Sequence, residues 1–184
     1  MNALASSGQL RGVVIRRALV CVPLLVLLGV LSGQLSGDGA GDAWFATLRK
    51  PPGFPPAILF GFVWSVLYAM MGLALALVLA ARGARLRGCA IALFAVQLVL
   101  NLAWSPLFFG MHRISWALAD IVMLDIAVVA TILLFWRIRP SAAWLMVPYL
   151  AWILFATYLN GAILRDNPKM DGAPSPVSIQ RIEF

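Results

Sequence analysis

Five long apolar stretches constrain this chain more than any other feature of its sequence. They occupy residues 18–36, 57–81, 88–109, 114–136 and 141–164. The hydrocarbon core of a bilayer is about 30 Å thick, and roughly 20 helical residues cross it. Only 11% of the residues are charged, whereas about 25% is usual for a soluble domain. The sequence therefore predicts an all-α membrane protein, a bundle of five transmembrane helices.

The segments between and around these stretches indicate the domain organisation. Residues 1–17 form a basic N-terminal segment, residues 18–165 a single transmembrane domain, and residues 166–184 a polar tail that we expect to be disordered. Residues 37–56 are rich in glycine and proline, which indicates a loop rather than a continuous helix. The other connections are short, so consecutive helices should be antiparallel neighbours.

The first apolar stretch has two interpretations. Arg11, Arg16 and Arg17 precede it, and arginines followed by an apolar run are typical of a signal peptide. No A-x-A cleavage site follows, and the apolar character continues to Leu35. The residues alone leave open a retained helix and a cleaved leader.

The net charge of +7 does not indicate a nucleic-acid-binding protein. The basic residues lie at the ends of the apolar stretches, where membrane proteins place flanking charges, and no RNA-binding motif accompanies them. With the N-terminus inside, eight Lys and Arg residues face the cytoplasm and six face the opposite side. This bias predicts a cytoplasmic N-terminus, with the C-terminus across the membrane. We expect the lipid bilayer, and no nucleic acid, as a partner.

The sequence shows no apparatus for hydrolytic or metal chemistry. It has no nucleotide-binding glycine loop, no Ser/His/Asp set and no cluster of metal ligands. We therefore assign no catalytic or metal-binding residue and expect no required cofactor. His112 is the one histidine, and its place in a short loop favours an ordinary loop residue over an axial haem ligand. Trp44, Trp116, Trp136 and Trp144 lie in a loop or near helix ends, as in an interfacial aromatic belt.

Inside the apolar stretches, three helix faces combine tryptophan, amide and small residues at helical spacing. They are Trp64 with Tyr68; Gln97 with Asn101 and Trp104; and Trp152 with Ala156 and Asn160. Polar amides are costly against lipid, so these faces should turn toward the interior of the bundle. Aromatic walls with a few hydrogen-bond donors suit a large planar hydrophobic ligand. Amides also join helices to one another, and the pattern alone does not decide between the two interpretations.

Two carboxyl side chains lie at membrane depth, where ionisable groups are candidates for function. Asp120 and Asp125 are five residues apart, about 140° around a helix, so they do not form a pair on one face. We expect both to face protein rather than lipid. They either form hydrogen bonds between helices or have a proton-coupled role.

Small residues recur at a spacing of four in two of the apolar stretches. The patterns Gly29-x-x-x-Gly33 and Gly88-x-x-x-Ala92 permit two helices to approach closely. They allow a dimer interface but do not establish one.

Five blocks of sequence resemble the tryptophan-rich TspO/translocator family of membrane proteins in order and spacing. The blocks are WFATLRKPP from Trp44, WSVLY from Trp64, QLVLNLAWSPLFFG from Gln97, VPYLAW from Val147 and LNGAILRDN from Leu159. The resemblance covers residues 25–167, and the third block is highly specific. It implies a five-helix bundle, often a homodimer, in which the first apolar stretch is a retained helix.

The resemblance also implies a ligand pocket closed by the first long loop. The ligands of the family include porphyrins such as protoporphyrin IX and haem, sterols, and benzodiazepine-type drugs. Residues that match the family's pocket are Trp64, Asn101, Trp104, Trp152 and Ala156, and residues that match its loop are Lys50, Pro51 and Pro55. Counting from the helix ends, we expect Trp152 to lie deeper than Trp64 and Trp104 and to form the floor of the pocket.

The chain departs from the family pattern at two places. Pro52 and Gly53 stand where many members have tryptophans after the Lys-Pro of the loop. Gly161 stands where an aromatic residue usually follows Leu-Asn in the sterol-recognition segment. The second departure favours a tetrapyrrole over a sterol as the ligand.

Three functions are compatible with this resemblance. The first is the binding of a porphyrin, linked to the regulation of tetrapyrrole metabolism. The second is the light-driven breakdown of a porphyrin, in which Trp64 and Trp152 would supply oxidisable rings. The third is the transport of a small molecule, with Asp120 or Asp125 carrying protons.

Overall fold

The computed structural model of the protein describes residues 7–36 and 41–174, which contain helices and no strand. The α-helices are α1 Ser7–Leu35, α2 Ala43–Thr47, α3 Ala57–Ala80, α4 Arg87–Ser105, α5 Ile114–Ile138 and α6 Pro140–Asp166. All except the short α2 belong to segments long and apolar enough to cross a bilayer, which makes five candidate spans in the described residues. The prediction of a five-helix membrane bundle is confirmed.

Local chemistry sets the ends of two helices that shape the site. Asp42 caps α2, since its carboxylate accepts a hydrogen bond from the backbone amide of Trp44 at 3.0 Å. Pro106 ends the regular α4 and begins a π-helical turn, Pro106–Gly110. In this turn the amide of Met111 donates to the carbonyl of Pro106, five residues back, at 2.9 Å.

Glycines allow α1 to pack directly on α3, which is its main neighbour. A Cβ atom on Gly72 of α3 would lie 2.7 Å from the backbone of Val22 in α1. A Cβ atom on Gly29 of α1 would overlap the ring of Tyr68 in α3. The first of the two small-residue patterns is therefore used at Gly29 for packing within the chain.

The core lies between α3, α4, α5 and α6. Met71, Phe94, Val128 and Tyr149 are buried there, one from each helix. The outer surface is apolar, and Leu19, Ile126 and Leu133 are among its exposed side chains. An apolar exterior is what contact with acyl chains requires, and it would be unusual over so large an area in a soluble protein.

Two boundaries differ from the expectation. Helix α1 begins at Ser7 rather than near residue 18, so Arg16 and Arg17 of the basic segment are helical. Long arginine side chains can reach the membrane surface while the helix continues past it. The start of that segment, residues 1–6, lies outside the described residues.

The second difference concerns the tail, which we expected to be disordered from residue 166. Its first part contains a 3-10 turn, Pro168–Met170, and packs on the bundle. The indole Nε1 of Trp44 donates to the carbonyl of Met170 at 3.3 Å, and the amide of Ser115 donates to Oδ1 of Asp171 at 3.2 Å. Polar composition predicted disorder, but polar groups of residues 170 and 171 find partners in α2 and at the start of α5. Residues 175–184 lie outside the described residues.

Candidate functional site

A cavity of about 570 Å³ lies between α3, α4, α5 and α6, beneath α2 and the loop that follows it. We call it the main cavity. Seven aromatic side chains line it, namely Phe45, Phe54, Phe60, Trp64, Trp104, Phe108 and Phe109. Its polar side chains are few, namely Lys50, Asn101, Ser105 and Asn160. An apolar wall with a few placed polar groups is the usual form of a small-molecule site, and the volume is in the usual range.

Trp104 and Asn160 are held in place by hydrogen bonds that cross the bundle. The indole Nε1 of Trp104 donates to Oδ1 of Asn160 at 3.1 Å, and Nδ2 of Asn160 donates to the carbonyl of Ile114 at 3.0 Å. The Trp104 ring also stacks on Phe108, with ring centroids 5.0 Å apart. These contacts fix the orientation of the Trp104 ring before a ligand binds, which lowers the entropy cost of binding.

Another wall is built from α3 and α4. Trp64 lines the main cavity, one turn from Tyr68, and their ring centroids lie 5.6 Å apart. The hydroxyl of Tyr68 donates to Oδ1 of Asn101, and both residues are buried. Because Tyr68 occupies the amide oxygen, the amide nitrogen is the donor that Asn101 can offer to a ligand. Tyr68 itself positions Asn101 and does not line the main cavity.

Helix α2 and the following loop form the roof. The Phe45 ring meets Phe109 of the π-helical turn edge-on, with centroids 5.2 Å apart. The ammonium of Lys50 lies 4.4 Å from the centroid of Phe45 and lines the cavity. Of the other two residues expected in the lid, Pro55 lines the cavity, whereas Pro51 is buried without lining it.

Hydrogen bonds tie one end of the roof to the end of α6. The amide of Arg49 donates to Oδ1 of Asn167 at 2.8 Å, and Nδ2 of Asn167 donates to the carbonyl of Arg49 at 2.9 Å. Asn167 is itself buried, and its Nδ2 also donates to the carbonyl of Ile163 at 2.8 Å. The roof is therefore attached to the bundle through its backbone, whatever its side chains are.

The other end of the roof is held by residues whose role differs from the expectation. Nε2 of His112 lies 2.8 Å from Oδ2 of Asp42, and the His112 ring stacks on Trp44 with centroids 4.3 Å apart. Trp44 is fully buried, so it does not belong to an interfacial belt. The sequence could not show this, because only the folding of α2 back onto the bundle covers Trp44. Trp116, Trp136 and Trp144 are exposed, as a belt requires.

Five of the eight residues expected in the pocket line the main cavity together: Trp64, Asn101, Trp104, Ala156 and Asn160. Besides Tyr68, the exceptions are Gln97 and Trp152. Gln97 is fully buried and accepts a hydrogen bond from the Tyr149 hydroxyl at 3.0 Å, so it joins α4 to α6.

The position of Trp152 corrects the expected depth. Its ring packs edge-on against Phe60, with centroids 5.5 Å apart. Only three residues of α3 precede Phe60, whereas fourteen residues of α6 follow Trp152. Helix α6 therefore extends past the start of α3 beside the roof, and counting from helix ends places Trp152 too deep. Trp152 supports the wall near the roof and is not the floor.

Five phenylalanines of the lining were not expected, namely Phe45, Phe54, Phe60, Phe108 and Phe109. Phenylalanine does not stand out in an apolar chain, so pattern reasoning gives no reason to select these rings. Proline at position 106 is the one local signal, because it predicts a departure from regular helix just before Phe108 and Phe109.

The two acids face protein, as expected. Asp120 is buried at 5% exposure, and Asp125 accepts a hydrogen bond from Oγ1 of Thr157 in α6 at 2.8 Å. Neither lines the main cavity. In the part of the chain that the structure describes, no three His, Cys, Asp or Glu residues are grouped so as to hold a metal ion.

Known proteins resemble this chain across the whole bundle. The model of the TspO/MBR family matches residues 20–165. Tryptophan-rich protein TspO of Chlorobaculum tepidum is 43% identical over 150 residues, which are 81% of this chain and 94% of the relative. The translocator protein of Homo sapiens is 39% identical over 142 residues, 76% of this chain and 84% of the relative. The tryptophan-rich sensory protein of Cereibacter sphaeroides is 41% identical over 128 residues, 68% of this chain and 78% of the relative. The chain is therefore a multi-pass integral membrane protein that belongs to the TspO/MBR family.

Proposed function

We propose that this protein binds a porphyrin, such as protoporphyrin IX or haem, in the main cavity. The observation that carries the proposal is the lining of about 570 Å³ of space by seven aromatic side chains. Flat rings make their most favourable contacts in stacked or edge-to-face arrangements. A macrocycle that is flat, rigid and apolar on both faces uses such walls more fully than a flexible chain does.

The polar groups of the cavity fit the rim of the same ligand. Protoporphyrin IX carries two carboxylates on one edge, and Lys50 is the one cation among the lining residues. Its ammonium lies over the Phe45 ring, at the roof, so a carboxylate edge would point toward the roof. Asn101 and Asn160 lie deeper, on α4 and α6, and suit the uncharged part of the ring system.

The names of the relatives support a role in sensing or in movement of the ligand. One relative is called a tryptophan-rich sensory protein and another a translocator protein. We propose that porphyrin binding is linked to the regulation or transport of tetrapyrroles. Binding is the step common to both roles and is tested first.

The first experiment fills the cavity. Ala156 lines the main cavity on α6, and Ala151 is exposed on the same helix. Ala156→Leu should weaken protoporphyrin IX binding by about tenfold or more, since a ligand cannot overlap the added side chain. Ala151→Leu adds the same volume on the lipid side and should leave the affinity unchanged. Titration of each purified variant, followed by tryptophan-fluorescence quenching, measures the effect. Equal affinities for both variants would place the ligand elsewhere.

The second experiment tests the orientation of the ligand. Lys50→Gln should weaken binding of protoporphyrin IX several-fold, because the carboxylate loses its charged partner. The same substitution should not affect binding of the uncharged dimethyl ester. Lys169→Gln, at an exposed position outside the cavity, is the control. An equal loss for acid and ester would show that Lys50 acts through the shape of the roof.

A second candidate function is the light-driven breakdown of the bound porphyrin. It is favoured by Trp64, which lines the cavity and lies 5.6 Å from the Tyr68 ring and 6.3 Å from the Tyr149 ring, centroid to centroid. Such a group of oxidisable rings can donate electrons to an excited ligand. Illumination of the protein with protoporphyrin IX should then yield a new product, and Trp64→Phe should abolish the product while retaining binding. If light only bleaches the porphyrin, at the same rate with the parent protein and with Trp64→Phe, this candidate function is wrong.

A further inference from the structure

A second, smaller cavity of about 270 Å³ lies beside the main cavity, between α1, α3 and α4. We call it the side cavity. The two cavities share five lining residues, and Trp64 and Asn101 stand between them. Val30 of α1 and Ser65 of α3 line the side cavity but not the main cavity. Both are exposed on the outer surface of the bundle. The side cavity therefore connects the surroundings of Trp64 with the lipid-facing surface.

Helices α1 and α3 lie apart at this level, and two glycines leave the gap between them unfilled. Gly33 and Gly61 line both cavities and are exposed. A Cβ atom built on either would meet no heavy atom within 4 Å among the described residues. This contrasts with Gly29 and Gly72, where the same two helices touch. Gly61 is four residues into α3, about 6 Å along the helix from its start, so the gap lies within the first two turns of a candidate membrane span.

The passage offers mostly apolar surface although three serines line it, namely Ser32, Ser65 and Ser105. Oγ of Ser32 donates to the carbonyl of Leu102 at 2.7 Å, and Oγ of Ser65 donates to the carbonyl of Gly61 at 2.8 Å. The hydroxyl protons of Ser32 and Ser65 are thus already used by the backbone. No charged residue of the described chain lines the side cavity, so a charged molecule would leave water there without an ionic partner, whereas an apolar molecule does not incur that desolvation cost.

The water-facing side of the main cavity is covered by the roof, although Lys50 and Ala57 of the lining are exposed there. The roof is bonded to Asn167 at Arg49 and to His112 at Asp42, and its own residues Trp44 and Pro51 are buried. Displacement of the whole roof would require several of these hydrogen bonds to break together. Entry through the side cavity requires only movement of side chains such as Trp64.

We propose that the side cavity is a side entrance through which a flat apolar ligand dissolved in the bilayer reaches the main cavity. The entrance lies between Gly33 and Gly61, and the Trp64 indole is the inner barrier. The proposal rests on the proposed ligand-binding function of the main cavity, and it adds the route and the source of the ligand.

The test measures rates as well as affinity, with the full chain in lipid nanodiscs and protoporphyrin IX as the probe. Ser65→Phe narrows the entrance from α3, and Val30→Trp narrows it from α1. Each should slow both association and dissociation by about tenfold, because a narrower passage raises the barrier in both directions and leaves the equilibrium constant unchanged. Stopped-flow fluorescence quenching gives the two rates.

Matched controls separate a blocked passage from a general effect of a large side chain. Val66→Phe and Leu31→Trp place the same rings at the adjacent exposed positions, outside the side cavity, and should leave both rates unchanged. Ser65→Ala removes the hydroxyl without filling the gap and should also behave as the parent. Unchanged rates in Ser65→Phe and Val30→Trp, with binding intact, would overturn the proposal in favour of entry past the roof. A loss of affinity with an unchanged association rate would make the side cavity a part of the binding site instead.

A second measurement does not depend on porphyrin binding. Phospholipid with brominated acyl chains quenches tryptophan on close approach. The share of fluorescence that Trp64→Phe removes should be quenched by this lipid, and Ser65→Phe should protect it. If protoporphyrin IX does not bind, the proposed function fails while this measurement still decides the entrance. If Trp64 is not quenched, the entrance is closed to lipid and the inference is wrong.

Discussion

Single small residues set how closely the helices of this bundle approach one another. Gly72 lies against the backbone of Cys21 and Val22, where a Cβ atom would come within 2.7 Å of a main-chain atom. A backbone cannot rotate aside as a side chain can, so the contact requires a residue without a Cβ. Gly88, on the exposed face of α4, has no such neighbour among the described residues.

Substitution by alanine should affect the stability of the protein differently at these two glycines. We expect Gly72→Ala to destabilise the protein by about 1–3 kcal/mol, since overpacking forces the two helices apart. Gly88→Ala should be neutral or stabilising by up to about 1 kcal/mol, because alanine is the better helix former and its Cβ meets open space. Thermal unfolding in one detergent, followed by circular dichroism, compares them. A midpoint for Gly72→Ala equal to that of the parent would contradict the close contact between α1 and α3.

Tryptophans of this chain differ in role according to the side of the bundle that they face. Trp64 lines the main cavity, whereas Trp136 is exposed near the end of α5 and packs on Trp144 with centroids 5.5 Å apart. Trp64→Ala should weaken protoporphyrin IX binding by about tenfold, since a ring contact contributes about 0.5–1.5 kcal/mol beyond area burial and tenfold is about 1.4 kcal/mol. Trp136→Ala should leave the affinity unchanged. Porphyrin absorbance titrations measure both, and similar losses in the two variants would argue against the main cavity as the site.

At the scale of elements, the roof shows how a loop without regular structure becomes part of a site. Its backbone at Arg49 is tied to the end of α6 by Asn167, and the side chain of Asp42, which caps α2, is tied to His112 just before α5. The π-helical turn after Pro106 places Phe109 against Phe45. Neither tie involves a transmembrane core residue, so the roof can loosen without unfolding of the bundle.

Loss of the Asn167 side chain should loosen the roof alone. Asn167→Ala removes the hydrogen bonds to Arg49 and Ile163, each with a net worth of about 1 kcal/mol. Hydrogen exchange at the amides of α2 and of Arg49 should speed up by tenfold or more, about 1.4 kcal/mol, while the core of α5 and α6 stays protected. Asp166→Ala, which disrupts only the exposed pair with Arg165, is the control. Uniform acceleration across all helices would instead show global destabilisation.

At the scale of the whole molecule, the five candidate spans of the described residues place the start of α1 and the end of α6 on opposite sides of the membrane. The end that carries the roof also holds the turn at His112 and the segment after α6, which bond to one another. The opposite end holds the turn between α3 and α4, with Arg82, Arg85 and Arg87. The larger number of basic residues at that end predicts that it is cytoplasmic.

Cysteine labelling tests this orientation at two exposed positions. In a Cys89→Ser background, Arg85→Cys should be protected from a membrane-impermeant maleimide in intact cells, and Lys169→Cys should be labelled. Native Cys21 is buried and should not interfere. The reverse result would invert the orientation, and equal labelling would contradict an odd number of spans.

The sequence by itself determined the membrane class, the five spans and a core set of residues around the site. Apolar length and a shortage of charge leave few alternatives in a bilayer, because every backbone group must find its partner within a helix. Trp64, Asn101, Trp104 and Asn160 stood out because polar and aromatic groups at helical spacing contrast with an apolar background and must turn inward, and the resemblance to the family added Ala156 and the interpretation as a pocket.

Only the tertiary structure decided the remaining features of the site. The depth of Trp152 depends on how far α6 slides along α3, and helix periodicity specifies a face but not an axial offset. The burial of Trp44, the stack of His112 on it and the order of residues 167–174 all depend on the folding of a loop back onto the bundle. Of the five lining phenylalanines, Phe108 and Phe109 are placed by the π-helical turn, Phe45 and Phe54 by the roof, and Phe60 by α3. These features come from contacts between segments far apart in the chain, which local pattern does not encode.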